Sequence, residues 1–84
     1  MTAYELAEYA GVSTRTVQRW KKDHGMPVLN PERQRGWTVD RHAFLNWACR
    51  RGMVRDQIKR PEAVRDLTVY HKAALWELMQ GVKL

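Results

Sequence analysis

Gly11 separates two short stretches whose apolar residues recur at helical spacing, and no other feature narrows the possible folds so much. The first stretch opens on Thr2-x-x-Glu5, a capping box in which hydroxyl and carboxylate satisfy backbone amides at a helix start. A helix over about residues 3 to 10 follows, with Leu6, Ala7 and Ala10 on one side. Gly11 supplies the left-handed backbone of a tight turn. Ser13 then caps a second helix that runs to about His24 and is closed by Gly25, with Val17 and Trp20 on its inner face and Val12 just before it. Two helices that cross closely need a small residue midway along the first, a glycine at the turn and apolar residues inside the second. Ala7, Gly11, Val17 and Trp20 meet these needs in order, as a helix-turn-helix requires; the competing reading is a plain helical hairpin.

The outer face of the second helix separates the two readings. Thr14, Arg15, Thr16, Gln18, Arg19 and Lys22 are polar or cationic, and no acid interrupts them before Asp23. These side chains hydrogen-bond base edges and phosphates, whereas a merely solvated helix more often mixes both signs. The expected partner is double-stranded DNA.

After Gly25 the pattern changes. Met26-Pro27-Val28-Leu29 is short and carries proline, residues 30 to 36 are polar and turn-rich, and Trp37-Thr38-Val39 alternates like a half-buried strand. The expectation is a two-stranded hairpin, a wing whose tip holds Arg33 and Arg35 in reach of phosphates or a minor groove. A loop charged only for solubility is the other account of those arginines. Asp40 caps a third helix over roughly 41 to 52, with Phe44, Leu45, Trp47 and Ala48 as its core face.

Charge divides the chain in the same sense. Residues 1–60 carry twelve Lys and Arg against six Asp and Glu, whereas residues 61–84 carry three against three. The net charge of +6 therefore resides in the first sixty residues, where it attracts polyanions. A boundary falls at Pro61, which suits the first turn of a last helix. In an 84-residue chain this leaves one small domain, residues 1–60, and an appended segment, residues 61–84. Arg50, Arg51, Arg55, Lys59 and Arg60 either solvate the end of the third helix or form a second phosphate-contacting patch.

Other chemistry finds little support. Cys49 is the single cysteine and is expected as buried filler, and His24, His42 and His71 lie too far apart in sequence for metal-ligand spacing. Asp40 with His42, or His71 with Glu77, lacks an accompanying nucleophile or phosphate-cradling glycine loop. No catalytic residue, metal or cofactor is expected. No segment approaches the roughly 20 apolar residues of a membrane span, and Met1-Thr2-Ala3-Tyr4-Glu5 does not open like a secretion signal, so a cytoplasmic protein is expected.

Taken together, the helix, the glycine turn, "VSTRTVQRW", "GMPV", a basic hairpin, a Trp-containing strand and "DRHAFLNW" resemble the winged helix-turn-helix of the MerR and excisionase families. Within that group "TVQRWKKDHGMPVL" is most similar to the DNA-binding domain of the small terminase subunit of lambda-type phages, a resemblance covering about residues 3 to 51. It implies a mainly α fold of three helices plus a short two-stranded wing, with the C-terminal helix appended. It further implies a dimer bound to a packaging-initiation site in the cytoplasm of a bacterial host. In that family a long C-terminal part recruits the large subunit; residues 61–84 are short and neutral, so recruitment of the large subunit is not expected of them. Two alternatives accompany this reading: an excisionase or small transcription regulator using the same surface on attachment or promoter DNA, and a tail-less adaptor that pairs with a phage terminase small subunit and redirects packaging.

The last segment carries the partner expectation. Val64, Leu67, His71, Ala74 and Leu78 recur at three- and four-residue steps over residues 62 to 80, while Val69, Tyr70, Leu75, Trp76 and Met79 widen the apolar surface. One side can pack on the third helix; the rest, with Tyr70 or Trp76, would remain for a second copy of the chain or a terminase subunit. The alternative is a helix folded back entirely to complete a monomeric core.

Overall fold

The computed structural model describes residues 1–33 and 36–81, without the side chains of residues 74, 77, 78, 80 and 81. The described residues form five helices: α1 (Ala3–Ala10), α2 (Thr14–Asp23), α3 (Arg41–Cys49), α4 (Gly52–Gln57) and α5 (Pro61–Gly81). The protein is mainly helical, as its patterning predicts.

The local signals act as expected over the first two helices. Thr2 Oγ1 accepts from the Glu5 amide at 3.2 Å, and the Glu5 carboxylate accepts from the Thr2 amide at 3.0 Å. Gly11 takes φ 75° and donates its N–H to Ala7 O at 2.9 Å, turning the chain into Ser13, whose Oγ accepts from the Thr16 amide at 3.2 Å. The Gly11 turn is also crowded: a β-carbon there would lie 2.9 Å from Cγ of Arg60. The crossing helices bury Leu6, Ala7 and Ala10 of α1 against Val17 and Trp20 of α2.

The third helix is shorter than expected. It ends at Cys49 instead of near residue 52, because Arg50 and Arg51 turn their amides back to Trp47 O and Ala48 O at 3.2 and 3.1 Å. Arg51 then becomes extended, at φ −117° and ψ 93°, and α4 starts afresh at Gly52. Sequence periodicity did not reveal α4. A continuous helix through this point would not direct Val54 and Ile58 as they are found, 1% and 3% exposed in the common core. Burial of these two side chains opposes continuation of α3, and Gly52, a poor helix interior residue, offers little resistance to the break.

The expected two-stranded wing is not formed as a ladder among the described residues. Residues 26–39 instead make one antiparallel bridge, Leu29 to Thr38, with the Leu29 amide 2.7 Å from Thr38 O. Thr38 also bridges to Thr2, and the Met1 ammonium and carbonyl bond to Val39 at 2.7 and 2.8 Å. The N-terminus thus pairs with the edge of residues 38–39 opposite the one that meets Leu29. Asn30, at φ 59°, and the donor-less Pro27 and Pro31 limit further pairing. Trp37 and Val39 are nonetheless buried and Thr38 half-buried, the alternation read from the sequence.

One core joins all these pieces. Trp20 stacks on Phe44 of α3, with ring centroids 5.8 Å apart and planes 26° from parallel, and Trp47 lies 6.2 Å from both rings. The start of α5 belongs to the same core, since Ala63 and Leu67 are buried among α1 and α3. A polar set fastens it there. The Asp66 carboxylate accepts from the Tyr9 hydroxyl of α1 and from Arg41 Nη2 of α3 at 2.9 Å, Arg41 lies 5.4 Å over the Tyr9 ring, and the Tyr70 hydroxyl meets Nδ1 of His42. At 21 residues α5 is about 32 Å long, more than twice the length of α3, so its distal turns outrun the helix against which it packs.

Candidate nucleic-acid interface

The α2 sequence partitions its two faces sharply. Val17 and Trp20 are buried, whereas Arg15, Gln18, Arg19 and Lys22 are exposed at the three-, four- and seven-residue steps that place side chains along one stripe. Thr14 is half-buried. Thr16 is half-buried too, and its hydroxyl lies 3.0 Å from Ser13 Oγ inside the N-cap, which commits it to holding the helix start. Within the expected set, then, four side chains form an open polar stripe and two threonines border it.

The electrostatics of that stripe are uncompensated. Among the described residues one ion pair is formed, between Arg41 and Asp66, remote from α2 in the sequence, so Arg15, Arg19 and Lys22 keep their charge for an external anion. The N-terminus of α2 adds the positive end of a helix dipole and has no acid in its first turn. Asp23 is exposed at the far end of the helix, away from Arg15.

Lys21 was not among the expected site residues, and the structure gives it a distinct place. Its ammonium lies 5.7 Å over the Trp37 ring, tying the end of α2 to the buried strand-like residues that follow the loop. Neither residue signals this contact locally, because they are separated by the whole 26–36 connection. Of the loop cations, Arg33 is exposed, with its amide donating to Asn30 O at 3.1 Å, and Arg35 lies outside the described residues.

The basic run after α3 comes close to α2 as well. Trp20 Nε1 donates to Gln57 Oε1 at 3.0 Å, the Lys59 amide meets Ala10 O at 3.4 Å, and Arg60 packs on Gly11. At the other end, Arg50 and Arg51 line an open recess with Pro27, Ala43, Asn46 and Trp47. The Trp47 Nε1–H is buried there without a hydrogen-bond partner among the described residues.

No protein-family model, curated protein or solved structure matches this chain. The functional reading therefore rests on the residues and their geometry. The described residues contain no group of three or more His, Cys, Asp or Glu side chains placed to hold a metal ion, and no helix among them is long and apolar enough to cross a membrane.

The expected partner surface on α5 is divided by the fold. Leu67 is removed from it, buried at 3% exposure in the common core, so it serves the core of its own chain. Tyr70 is half-buried through its contact with His42. His71, Leu75 and Trp76 are exposed, Trp76 at 63%, and are joined by Val69 and Met79; the side chains of Ala74 and Leu78 lie outside the described set.

Proposed function

We propose that this chain is a sequence-specific double-stranded DNA-binding protein of the winged helix-turn-helix type. In this reading α2 is the helix presented to the major groove. The observation that carries it is the acid-free stripe of Arg15, Gln18, Arg19 and Lys22 opposite Val17 and Trp20, on a helix held from behind by the Phe44 and Trp47 rings and a hydrogen bond to Gln57. Arg reads guanine edges bidentately and Gln reads adenine, while Lys22 neutralises phosphate. The Leu29–Thr38 bridge and the Lys21–Trp37 contact support a short wing beside α2, on which Arg33 is exposed.

The resemblance of residues 3 to 51 to the small terminase subunit makes a packaging-initiation site the first duplex to try, with attachment-site and promoter duplexes as its competitors. Selection of preferred duplexes from a random pool, followed by Arg15→Ala, Gln18→Ala and Arg19→Ala, tests the reading. Each substitution should cost about 1 to 3 kcal/mol on the preferred site and relax preference at one position. Lys22→Ala should weaken all duplexes alike. Equal affinity of an Arg15→Ala/Arg19→Ala variant and the native chain for the selected site would overturn the proposal.

A second reading is favoured by the exposed Val69, Leu75, Trp76 and Met79 on α5. The chain is then an adaptor whose α5 pairs with a second copy or with a phage terminase small subunit, so that bound DNA is directed to another protein's machinery. Co-sedimentation with a purified small subunit, with and without Trp76→Ala, separates this reading from DNA binding alone.

A further inference from the structure

We propose that the segment running from the end of α3 to the start of α5 grips the phosphate backbone at both ends of α2, making a clamp of which the recognition stripe is only the centre. The inference deepens the DNA-binding reading and rests on it. Residues 50–60 hold five cations, Arg50, Arg51, Arg55, Lys59 and Arg60, against one acid, Asp56. All of these cations except Arg55 are exposed, and none is ion-paired among the described residues. Arg55 is half-buried and directs Nη1 to Cys49 O at 3.5 Å, covering the end of α3, so it belongs to the frame and not to the grip.

The placement follows from three attachments. Near the start of α2, the Lys59 amide meets Ala10 O and Arg60 packs against Gly11, immediately before the α2 cap. In the middle, Gln57 is bonded to Trp20. Beyond the end of α2, Arg50 and Arg51 share a recess with Pro27, four residues after Asp23. The same segment therefore runs from a recess shared with Pro27, beyond one end of α2, to the Gly11 turn that precedes the other. The ten residues of α2 rise about 15 Å, a little more than the roughly 12 Å width of a major groove, so α2 set obliquely across the groove directs its two ends toward the two phosphate rims. Lys59 and Arg60 then face one rim and Arg50 and Arg51 the other. Such contacts fix register and add affinity without reading sequence.

The test uses the full chain and the duplex selected by α2. Arg50→Gln/Arg51→Gln and Lys59→Gln change exposed groups, while Arg60 is left in place because its stem packs on Gly11. The salt dependence of affinity should fall by about 1.8 in log–log slope for the double variant and about 0.9 for Lys59→Gln, corresponding to two contacts and one. The order of preference among duplexes should be unchanged. Phosphate ethylation interference on the native chain should mark phosphates on both rims of the groove contacted by α2, and the double variant should lose the marks on one rim only. The interference measurement decides the matter even where a variant folds poorly. Unchanged slopes, or interference confined to one rim, would overturn the clamp while leaving α2 recognition standing. Reduced slopes with an Arg15→Ala/Arg19→Ala variant that binds like the native chain would overturn α2 recognition and, with it, the clamp centred on α2. A native chain that binds no duplex removes both.

Discussion

The Nε1–H of Trp20 donates to Oε1 of Gln57 across 3.0 Å, joining the inner face of α2 to the end of a six-residue helix 37 positions further along the chain. Trp20 is only 1% exposed, so this bond satisfies a polar group that water does not readily reach. Gln57→Leu should cost about 1 to 3 kcal/mol, the range for a buried donor left unmade. Gln57→Glu retains an acceptor and should recover most of that loss at neutral pH. Chemical denaturation of the three proteins measures both; equal stability of the Leu variant would show that Trp20 does not depend on this partner.

Gly11 combines a left-handed backbone with close approach of Arg60. Gly11→Ala therefore meets strain twice, from φ 75° and from a contact of 2.9 Å with Arg60 Cγ. A loss of about 1 to 3 kcal/mol is expected. Adding Arg60→Gly should return the steric part and leave the backbone part, a double-mutant cycle with a positive coupling. Additive losses would place the whole effect in the turn.

Asp66 sets a pH dependence. The hydrogen bond from Tyr9, and after it the bond and charge of Arg41, hold its carboxyl below the usual carboxylate range. A carboxylate depressed in the folded state contributes stability above its unfolded pKa of about 3.9, and that contribution is lost as the pH falls through the folded value. Burial, then the Asp66 hydrogen bond, push the Tyr9 phenol up, so its contribution is present below about pH 10 and is lost as pH rises toward the folded value. Asp66→Asn should lower stability at neutral pH and flatten the acid limb below about pH 4, whereas Tyr9→Phe should flatten the alkaline limb. Urea melts across pH provide the measurement. Parallel acid limbs for the native chain and Asp66→Asn would remove Asp66 from the account.

Trp76 is 63% exposed on the distal half of α5, where Leu75 and Met79 are 47% and 68% exposed. Apolar surface of this kind supports the proposed contact between α5 and a second copy. A dimer at micromolar concentration is expected in sedimentation, and Trp76→Ala should shift it to monomer with helix content retained. A native chain that is monomeric alone and on DNA would leave α5 without a second copy as its partner.

The legible part of this protein is the part written in short-range chemistry. Thr2 with Glu5, Ser13, Asp40 and Gly11 announce their helix ends because each acts on backbone only a few residues away, and the division of α2 into Val17/Trp20 and Arg15/Gln18/Arg19/Lys22 follows from helical geometry alone. The start of α5 at Pro61 was equally visible. What tertiary structure decided are the outcomes of competition between distant groups. Arg50 and Arg51 interrupt α3 as Val54 and Ile58 enter the core, and Met1 bonds to the backbone of Val39 from the far end of the described sequence. Leu67 is drawn into the common core, Asp66 is captured by Tyr9 and Arg41, and residues 57 to 60 are drawn along α1 and α2. Each depends on loops closed over tens of residues and on apolar area that exists only once the helices meet. Periodicity reports which face of a helix is apolar, but the neighbour that covers that face is chosen by the assembled core.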